Sequence, residues 1–244
     1  MKWTYSKITE GDGVANRKEN CNFSVIIRNK NEEKWIGHCI QSIIDNLYKP
    51  EIIIVDNNSS DESLDIVKTF IQDPQINMAP NRNYTDIKIL NIEDYSPGKA
   101  INLGVRKAKK DYILIISAHC VLKNFNQKKI KDDLKKFIAI FGNQTPFWNG
   151  KRISKRYIWS HFGSKEKINM YSKLEQRYFF HNAISLFKKK TLIKYPFYEK
   201  LLGKEDRYWA NNIVTKKKLK FLYDPSIEVD HHYTEGGNTW KGIG

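Results

Sequence analysis

The sequence predicts an α/β fold: a doubly wound, mostly parallel sheet flanked by helices. Two observations carry that prediction. Four short runs dominated by Ile, Val, Leu and aromatic residues, Phe23–Ile27, Glu51–Val55, Ile87–Leu90 and Tyr112–Ile116, have the composition of strands buried on both faces. Between them, apolar residues recur at helical spacing, and strands that alternate with helices join into a parallel sheet.

In chain order, residues 1–21 read as a polar extension of low information. The strand at Phe23–Ile27 leads into a polar turn, Arg28–Glu33. Trp35, Ile36, Cys39, Ile40, Ile43, Ile44 and Leu47 then mark an amphipathic helix over Glu33–Asn46, and Pro50 closes the connection. The second strand delivers Asp56. Asn57–Ser60 is a turn, and Ser60 or Asp61 caps a helix through Leu64, Ile66, Val67 and Phe70. A loop over Pro74–Thr85 precedes the third strand. Pro97 stands in the first turn of a helix that runs to Ala108. The Tyr112 strand stops abruptly in Ser117-Ala118-His119-Cys120. Ligands of open α/β sheets gather beyond the carboxyl ends of strands, so these residues stand where chemistry is expected.

The chain changes character near Leu122. Phe125–Gly142 sets Leu134, Phe137, Ile138 and Phe141 among lysines, as a solvated helix does. Thr145–Phe162 interleaves Phe147, Trp148, Tyr157 and Trp159 with Lys151, Arg152, Lys155 and Arg156, the pattern of a binding surface or loop. Ile184–Phe187 reads as a short strand and Asp206–Lys216 as a helix opened by Glu205. Lys220–Tyr223 and Ile227–Val229 read as a hairpin-like pair ending in Asp230-His231-His232. One domain is expected over residues 22–244, with halves 22–122 and 123–244.

The length of 244 residues supports a sizeable core, and 40% hydrophobic with 28% charged residues is globular composition. A net charge of +15 suits a polyanionic partner: nucleic acid, an anionic membrane surface or a nucleoside diphosphate. No apolar run approaches a membrane span, and the polar Met1–Asn22 is not a signal peptide. Cys21, Cys39 and Cys120 have no metal or disulfide spacing, and their odd number suits a reducing compartment. The expected location is the cytoplasm, with peripheral contact at the inner face of the cell membrane. The phosphate loop G-x-x-x-x-G-K-[ST], a G-x-G-x-x-G after the first strand and H-E-x-x-H are all absent, which disfavours P-loop enzymes, dinucleotide dehydrogenases and zincin proteases.

Four segments in order and spacing carry a more specific signal. They are Phe23-Ser-Val-Ile-Ile-Arg-Asn-Lys-Asn-Glu-Glu33, Ile54-Val-Asp-Asn-Asn-Ser-Ser-Asp-Glu-Ser63, Gly98-Lys-Ala-Ile-Asn-Leu-Gly104 and Gly203-Lys-Glu-Asp-Arg-Tyr-Trp209. Together they resemble a family 2 glycosyltransferase of the GT-A fold, over Phe23 to His232. The resemblance implies an inverting enzyme that moves a sugar from a nucleoside-diphosphate donor, above all a UDP-sugar, to a hydroxyl of a glycan or lipid-linked saccharide. Capsule or another surface polysaccharide is the implied product.

The resemblance makes Asp56 the nucleotide-binding carboxylate and Asp206 the general base, with Glu205 as its neighbour. Arg28 and Asn29 follow the first strand and line the base pocket; Ser117 and Ala118 complete the donor site. Lys99, near a helix amino end, is placed to hold phosphate. Trp209 is the expected acceptor floor, with His181 and Asn182 facing the acceptor. The family normally ends the fourth strand in Asp-x-Asp. Here Ser117-Ala-His119 resembles the Asp-x-His variant of polypeptide N-acetylgalactosaminyltransferases. His119 with His231 or His232 is therefore the expected metal site, and imidazole favours Mn²⁺ over Mg²⁺. The missing aspartate leaves metal-independent action as an alternative.

Three rival readings remain. A sugar nucleotidyltransferase opens with a glycine-rich loop that Arg28-Asn-Lys-Asn31 lacks. A nucleic-acid-binding protein would account for the charge and interleaved aromatics but not for Asp56 or the Glu205-Asp206 pair, so no nucleic-acid partner is expected. An inactive scaffold would account for the incomplete Asp-x-Asp. The glycine-containing end at Gly244 fits a chain cut short of an acceptor-binding or membrane-associating segment.

Overall fold

The computed structural model describes residues 22–72, 85–153, 157–237 and 239–240. The extension over 1–21 with Cys21, most of the Pro74–Thr85 loop, Lys155, Arg156 and the end at Gly244 lie outside the described residues.

The first half follows the expected alternation: β1 (Phe23–Asn29), α1 (Ile36–Asn46), β2 (Glu51–Asp56), α2 (Ser63–Gln72), β3 (Asp86–Asn91), α3 (Pro97–Lys107) and β4 (Tyr112–Ser117). These strands pair in parallel in the order β3-β2-β1-β4. The unbroken apolar runs have a direct cause. Successive side chains of a strand point to opposite faces, and both faces are covered. Leu114 and Ile116 of β4 enter one core with Ile36, Cys39 and Ile40 of α1, while Ile113 and Ile115 enter the other with Ala100 and Ile101 of α3.

The second half extends the same sheet. It contributes β5 (Cys120–Asn124), α4 (Gln127–Lys136), β6 (Ala139–Trp148), β7 (Lys151–Arg152), a 3₁₀ turn at Tyr157–His161, β8 (Lys167–Ile168), β9 (Tyr171–Ser172), β10 (Arg177–Tyr178), β11 (Ile184–Lys188), α5 (Lys189–Lys194), α6 (Glu205–Thr215) and β12 (Leu222–His232). The strand order continues from β4 through β11, β6 and β12 to β5, with β7 and β8 added at β6 and β12. Among the described residues of this half, only β6 and β12 pair in parallel; β11 and β5 run antiparallel to their neighbours. Among the described residues, no helix is long and apolar enough to cross a membrane.

Three expectations for this half are corrected. Phe125–Gly142 is not one solvated helix: α4 ends at Lys136, and Phe137-Ile-Ala-Ile-Phe141 feeds β6, whose Ile140 and Phe141 enter opposite cores. Thr145–Phe162 is not a loop surface throughout, because β6 runs to Trp148 and both Trp159 and Phe162 are buried. The hairpin is a single bulged strand. The register of β12 against β6 jumps between Asp224 and Glu228, where Pro225 has no N–H to lose and Ser226 donates to Asp224 Oδ1 instead. Gly142 makes room for that bulge: a Cβ there would stand 2.6 Å from the Ile227 carbonyl oxygen.

Candidate active site

The carboxyl ends of β1, β2 and β4 converge with the start of α6 and the chain beyond β12 on a cleft of about 330 Å³. Arg28, Asn29 and Lys30 line it after β1, Asn57 after β2, Ser117 and His119 after β4. His181 and Asn182 come from the approach to β11, and Lys204 to Arg207 from the start of α6. Gly236, Gly237 and Thr239 close the remaining side.

One wall is a buried charge cluster. Glu205 and Asp206 open α6, where the helix dipole favours negative charge. Glu205 Oε1 accepts from Arg28 Nη1 at 3.1 Å and from Asn182 Nδ2 at 3.5 Å. Asp206 is gripped more tightly. Its Oδ2 accepts from the Asn182 amide at 3.1 Å, and Arg207 reaches both oxygens through Nη1 at 3.1 and 3.2 Å. Arg207 lies under the Phe179 ring at 4.6 Å, with Nε 3.5 Å from Glu175 Oε2. The two carboxyls are pushed apart. Burial and the adjacent Asp206 charge raise Glu205. Burial also acts to raise Asp206, but Arg207, His181 and the Asn182 amide outweigh it and hold it below the usual range.

Imidazoles form another part of the lining, with His119 and His181 on the cleft. His119 Nδ1 donates to Glu32 Oε1 at 2.8 Å, and its Nε2 stands 3.1 Å from Nε2 of His231. His231 Nδ1 meets Gln144 Oε1 at 2.9 Å, and Gln144 Nε2 meets His181 Nδ1 at 3.0 Å. The pleat of β12 decides between its two histidines: His231 points inward at 1% exposure, while His232 turns out and stacks on Trp35 at 3.7 Å. Burial, then the neighbouring His119 and His181, pushes His231 well below the ordinary histidine range. His181 falls to about 3 through burial and the Arg207 charge.

The donor set fits a divalent transition ion. Two imidazoles converge through Nε2, each with Nδ1 held by an oxygen, the arrangement that orients metal-binding histidines. Their 3.1 Å separation matches adjacent ligand positions around one ion at metal–nitrogen bonds of about 2.0–2.1 Å. Among the described residues, no third His, Cys, Asp or Glu joins them in a metal-binding group.

The model of the family described as Glycosyl transferase family 2 matches residues 24–196. The chain belongs to that family. Over 99 residues it is 32% identical to the dolichyl N-acetyl-alpha-D-glucosaminyl phosphate 3-beta-D-2,3-diacetamido-2,3-dideoxy-beta-D-glucuronosyltransferase of Methanococcus voltae, covering 39% of this chain and 28% of that protein. Its fold is similar to S. aureus TarS 1–349 in complex with UDP-GlcNAc, with a TM-score of 0.60 at 20% identity, covering 88% of this chain and 59% of that one. GalNAc-T7 with UDP, GalNAc and Mn²⁺ superposes with a TM-score of 0.65 at 15% identity, covering 90% and 45%. These alignments thus span less than two thirds of each relative's length.

In this glycosyltransferase, most of the expected site residues share the cleft: Arg28, Asn29, Ser117, His119, His181, Asn182, Glu205 and Asp206 all line it, and His231 stands behind His119. Besides His232 on Trp35, four residues stand elsewhere. Asp56 is 1% exposed, its carboxylate occupied by Asn29 Nδ2, Ser59 N and Ser59 Oγ, so Asn57 reaches the cleft instead. Ala118 is buried in the core. Lys99 pairs with Asp94 at the surface, and Lys30 and Lys204 are the lysines on the cleft. Trp209 is not a cleft floor: its indole donates to the Tyr195 carbonyl and packs among Phe180, Phe187 and Phe197. Asp61 is a helix-start residue, accepting from Ser63 N.

Glu32, Gln144 and Arg207 were missed. Arg207 lay inside the Gly203–Trp209 segment and adjoined the acidic pair, a signal that was readable. Gln144 had none, because it belongs to a strand that the sequence disguised.

Proposed function

We propose that this family 2 enzyme is an inverting transferase that moves a sugar from a UDP-linked donor to a hydroxyl of a glycan or lipid-linked saccharide. The observation that carries the reading is that one cleft at the strand ends holds a buried carboxylate pair and His119, behind which His231 converges. Asp206, kept ionised by Arg207, takes the acceptor hydroxyl's proton as that oxygen attacks the anomeric carbon. The bond from that carbon to the diphosphate oxygen breaks, and its electrons leave with the UDP. Arg28, Lys30 and Lys204, which line the cleft, neutralise charge growing on the diphosphate. Glu205 holds Arg28 in place. Asp56 acts through Asn29 and the turn that carries Asn57 toward the nucleoside.

His119 and His231 would hold the divalent cation, Mn²⁺ before Mg²⁺, which when bound would stabilise the leaving diphosphate. The UDP-GlcNAc bound to TarS and the UDP and Mn²⁺ bound to GalNAc-T7 support this assignment of donor and ion. The dolichyl-phosphate-linked substrate in the name of the Methanococcus relative supports a lipid-linked acceptor. Trp148, 54% exposed beside the exposed Lys151 and Arg152, suits peripheral contact with an anionic bilayer from the cytoplasm.

Thermal stabilisation and slow donor hydrolysis across a panel of nucleotide sugars, with Mn²⁺, Mg²⁺ or chelator, test the reading. A Mn²⁺-dependent response to one UDP-sugar that is lost in His119→Ala is the expected result. A chelator-insensitive response would remove the cation and keep the transferase. Silence toward every nucleotide sugar would overturn it.

A further inference from the structure

We propose that Gln144 is a positioning residue that holds His231 and His181 in opposite tautomers. His231 thereby presents a bare Nε2 to His119, and His181 presents an Nε2–H to the cleft. The consequence for cation binding rests on the proposed function above; the tautomers themselves do not.

The assignment follows from one backbone amide. Ala183 N–H donates to His181 Nδ1 at 3.2 Å, so that nitrogen carries no proton while the ring is neutral. The Gln144 atom 3.0 Å from the same nitrogen must then be its donor, Nε2. Turning the amide over would leave its oxygen facing a lone pair and its NH₂ facing His231. With the amide fixed, Oε1 lies 2.9 Å from His231 Nδ1, which must donate. A charged imidazole is costly at 1% exposure, so with Nδ1 donating to Gln144 the His231 Nε2 is left as a lone pair aimed at His119.

The other end of the relay is set the same way. A carboxylate only accepts, so Glu32 Oε1 holds the proton of His119 on Nδ1. Two Nε2 lone pairs 3.1 Å apart, on rings that both carry Nδ1–H, repel each other unless a cation stands between them. Gln144 thus makes the imidazole pair a cation site. The Ala183 amide and Gln144 Nε2 together keep His181 Nδ1 bare, so its Nε2–H lies 3.5 Å from Thr239 Oγ1 at the cleft, ready for a sugar or diphosphate oxygen.

Side-chain ¹⁵N NMR of the full chain, free of metal, reads the tautomers directly. His231 should show a protonated Nδ1 and His181 a protonated Nε2. Gln144→Leu should remove the His231 preference, leave His181 to the Ala183 amide, and weaken Mn²⁺ binding, measured by electron paramagnetic resonance with UDP present, by about 10–100-fold. Gln144→Glu separates the two roles: its carboxylate still accepts from His231 Nδ1 but cannot donate to His181. Mn²⁺ affinity should survive in that variant while the His181 tautomer shifts, and this contrast also controls for a misfolded Gln144→Leu. The same tautomer on both histidines of the parent protein, or an unchanged His231 preference in Gln144→Leu, overturns the proposal. Opposite tautomers in a parent protein that binds no Mn²⁺ would uphold it and instead remove the cation from the proposed function.

Discussion

Asp206 and Arg207 are consecutive residues that form a two-point ion pair at the opening of α6, Nη1 lying 3.1 Å from Oδ1 and 3.2 Å from Oδ2. The contact separates two adjacent carboxyls that burial alone would treat alike. Asp206 is held down and Glu205 is pushed up, so the pair contains one group dependably charged at neutral pH. Asp206→Asn should therefore lower transfer by roughly 10²–10⁴-fold, the usual worth of a general base. UDP affinity by calorimetry should hold. The variant will also melt earlier, because buried Arg207 loses the closer of its two charge partners and keeps only Glu175. Rates should accordingly be read well below the new Tm, and transfer at the parent rate would reassign the base to Glu205.

Arg207→Lys keeps a positive charge but loses the planar fork. With less hold on the ionised form, the Asp206 carboxyl rises toward its ordinary value. The acid limb of the pH profile of donor hydrolysis should then move to higher pH. An unmoved limb would mean that the rate reports a different group.

His181 stays neutral in the folded protein down to about pH 3, whereas an unfolded chain protonates the same ring near its reference value of 6.5. Below that reference pH the unfolded state binds the extra proton, so stability falls with falling pH. The slope is about 1.4 kcal/mol per pH unit for one such group. Asp206 adds loss only further down, as the pH drops through its lowered value. In urea titrations between pH 6 and 4.5, His181→Asn should show a shallower slope by about one proton's worth. Equal slopes in the two proteins would show that His181 does take up a proton in the fold.

The parallel half was legible because each strand is covered on both faces and each helix on one, so hydrophobic pattern and fold say the same thing. The far half was not. The β6 strand follows α4 after only Phe137 and Ile138, with lysines on the helix masking the change of period. In β12 the Asp224-Pro-Ser226 bulge carries the residues of a turn inside a continuous strand. The acidic pair and His119 could be found because their chemistry sits in a few consecutive residues. Choosing His231 over His232 required the pleat, and Gln144 required a sheet order that sets β6 between β11 and β12. Trp209 failed for a related reason. On α6, Asp206 faces the cleft while Trp209, Ala210 and Ile213 all enter the core, and no local signal separates those roles.

Neighbouring residues of the Gly98–Gly104 motif should respond to alanine in opposite ways. Gly98 lies against the backbone of Tyr198, where a Cβ would collide with the carbonyl oxygen, and backbone cannot swing aside as a side chain can. At the other end, a Cβ on Gly104 would stand 2.7 Å from Ile26 Cγ2 in the core. Between them, Asn102 fixes the same strap, exchanging hydrogen bonds with Phe197 N and O at 3.1 and 2.9 Å. The motif therefore docks residues 197–199 onto α3 and so sets the rim from Tyr95 and Pro97 to Gly203. Gly98→Ala should cost about 1–3 kcal/mol, as overpacking does, and weaken UDP binding through the displaced rim. Lys99 faces the surface in an ion pair with the exposed Asp94, so Lys99→Ala should change stability by no more than about 0.5 kcal/mol and leave UDP binding intact. Thermal melts with and without UDP measure both variants. Strong loss of UDP binding in Lys99→Ala would bring that lysine back to the phosphate, which requires α3 to turn it away from Asp94 when donor binds.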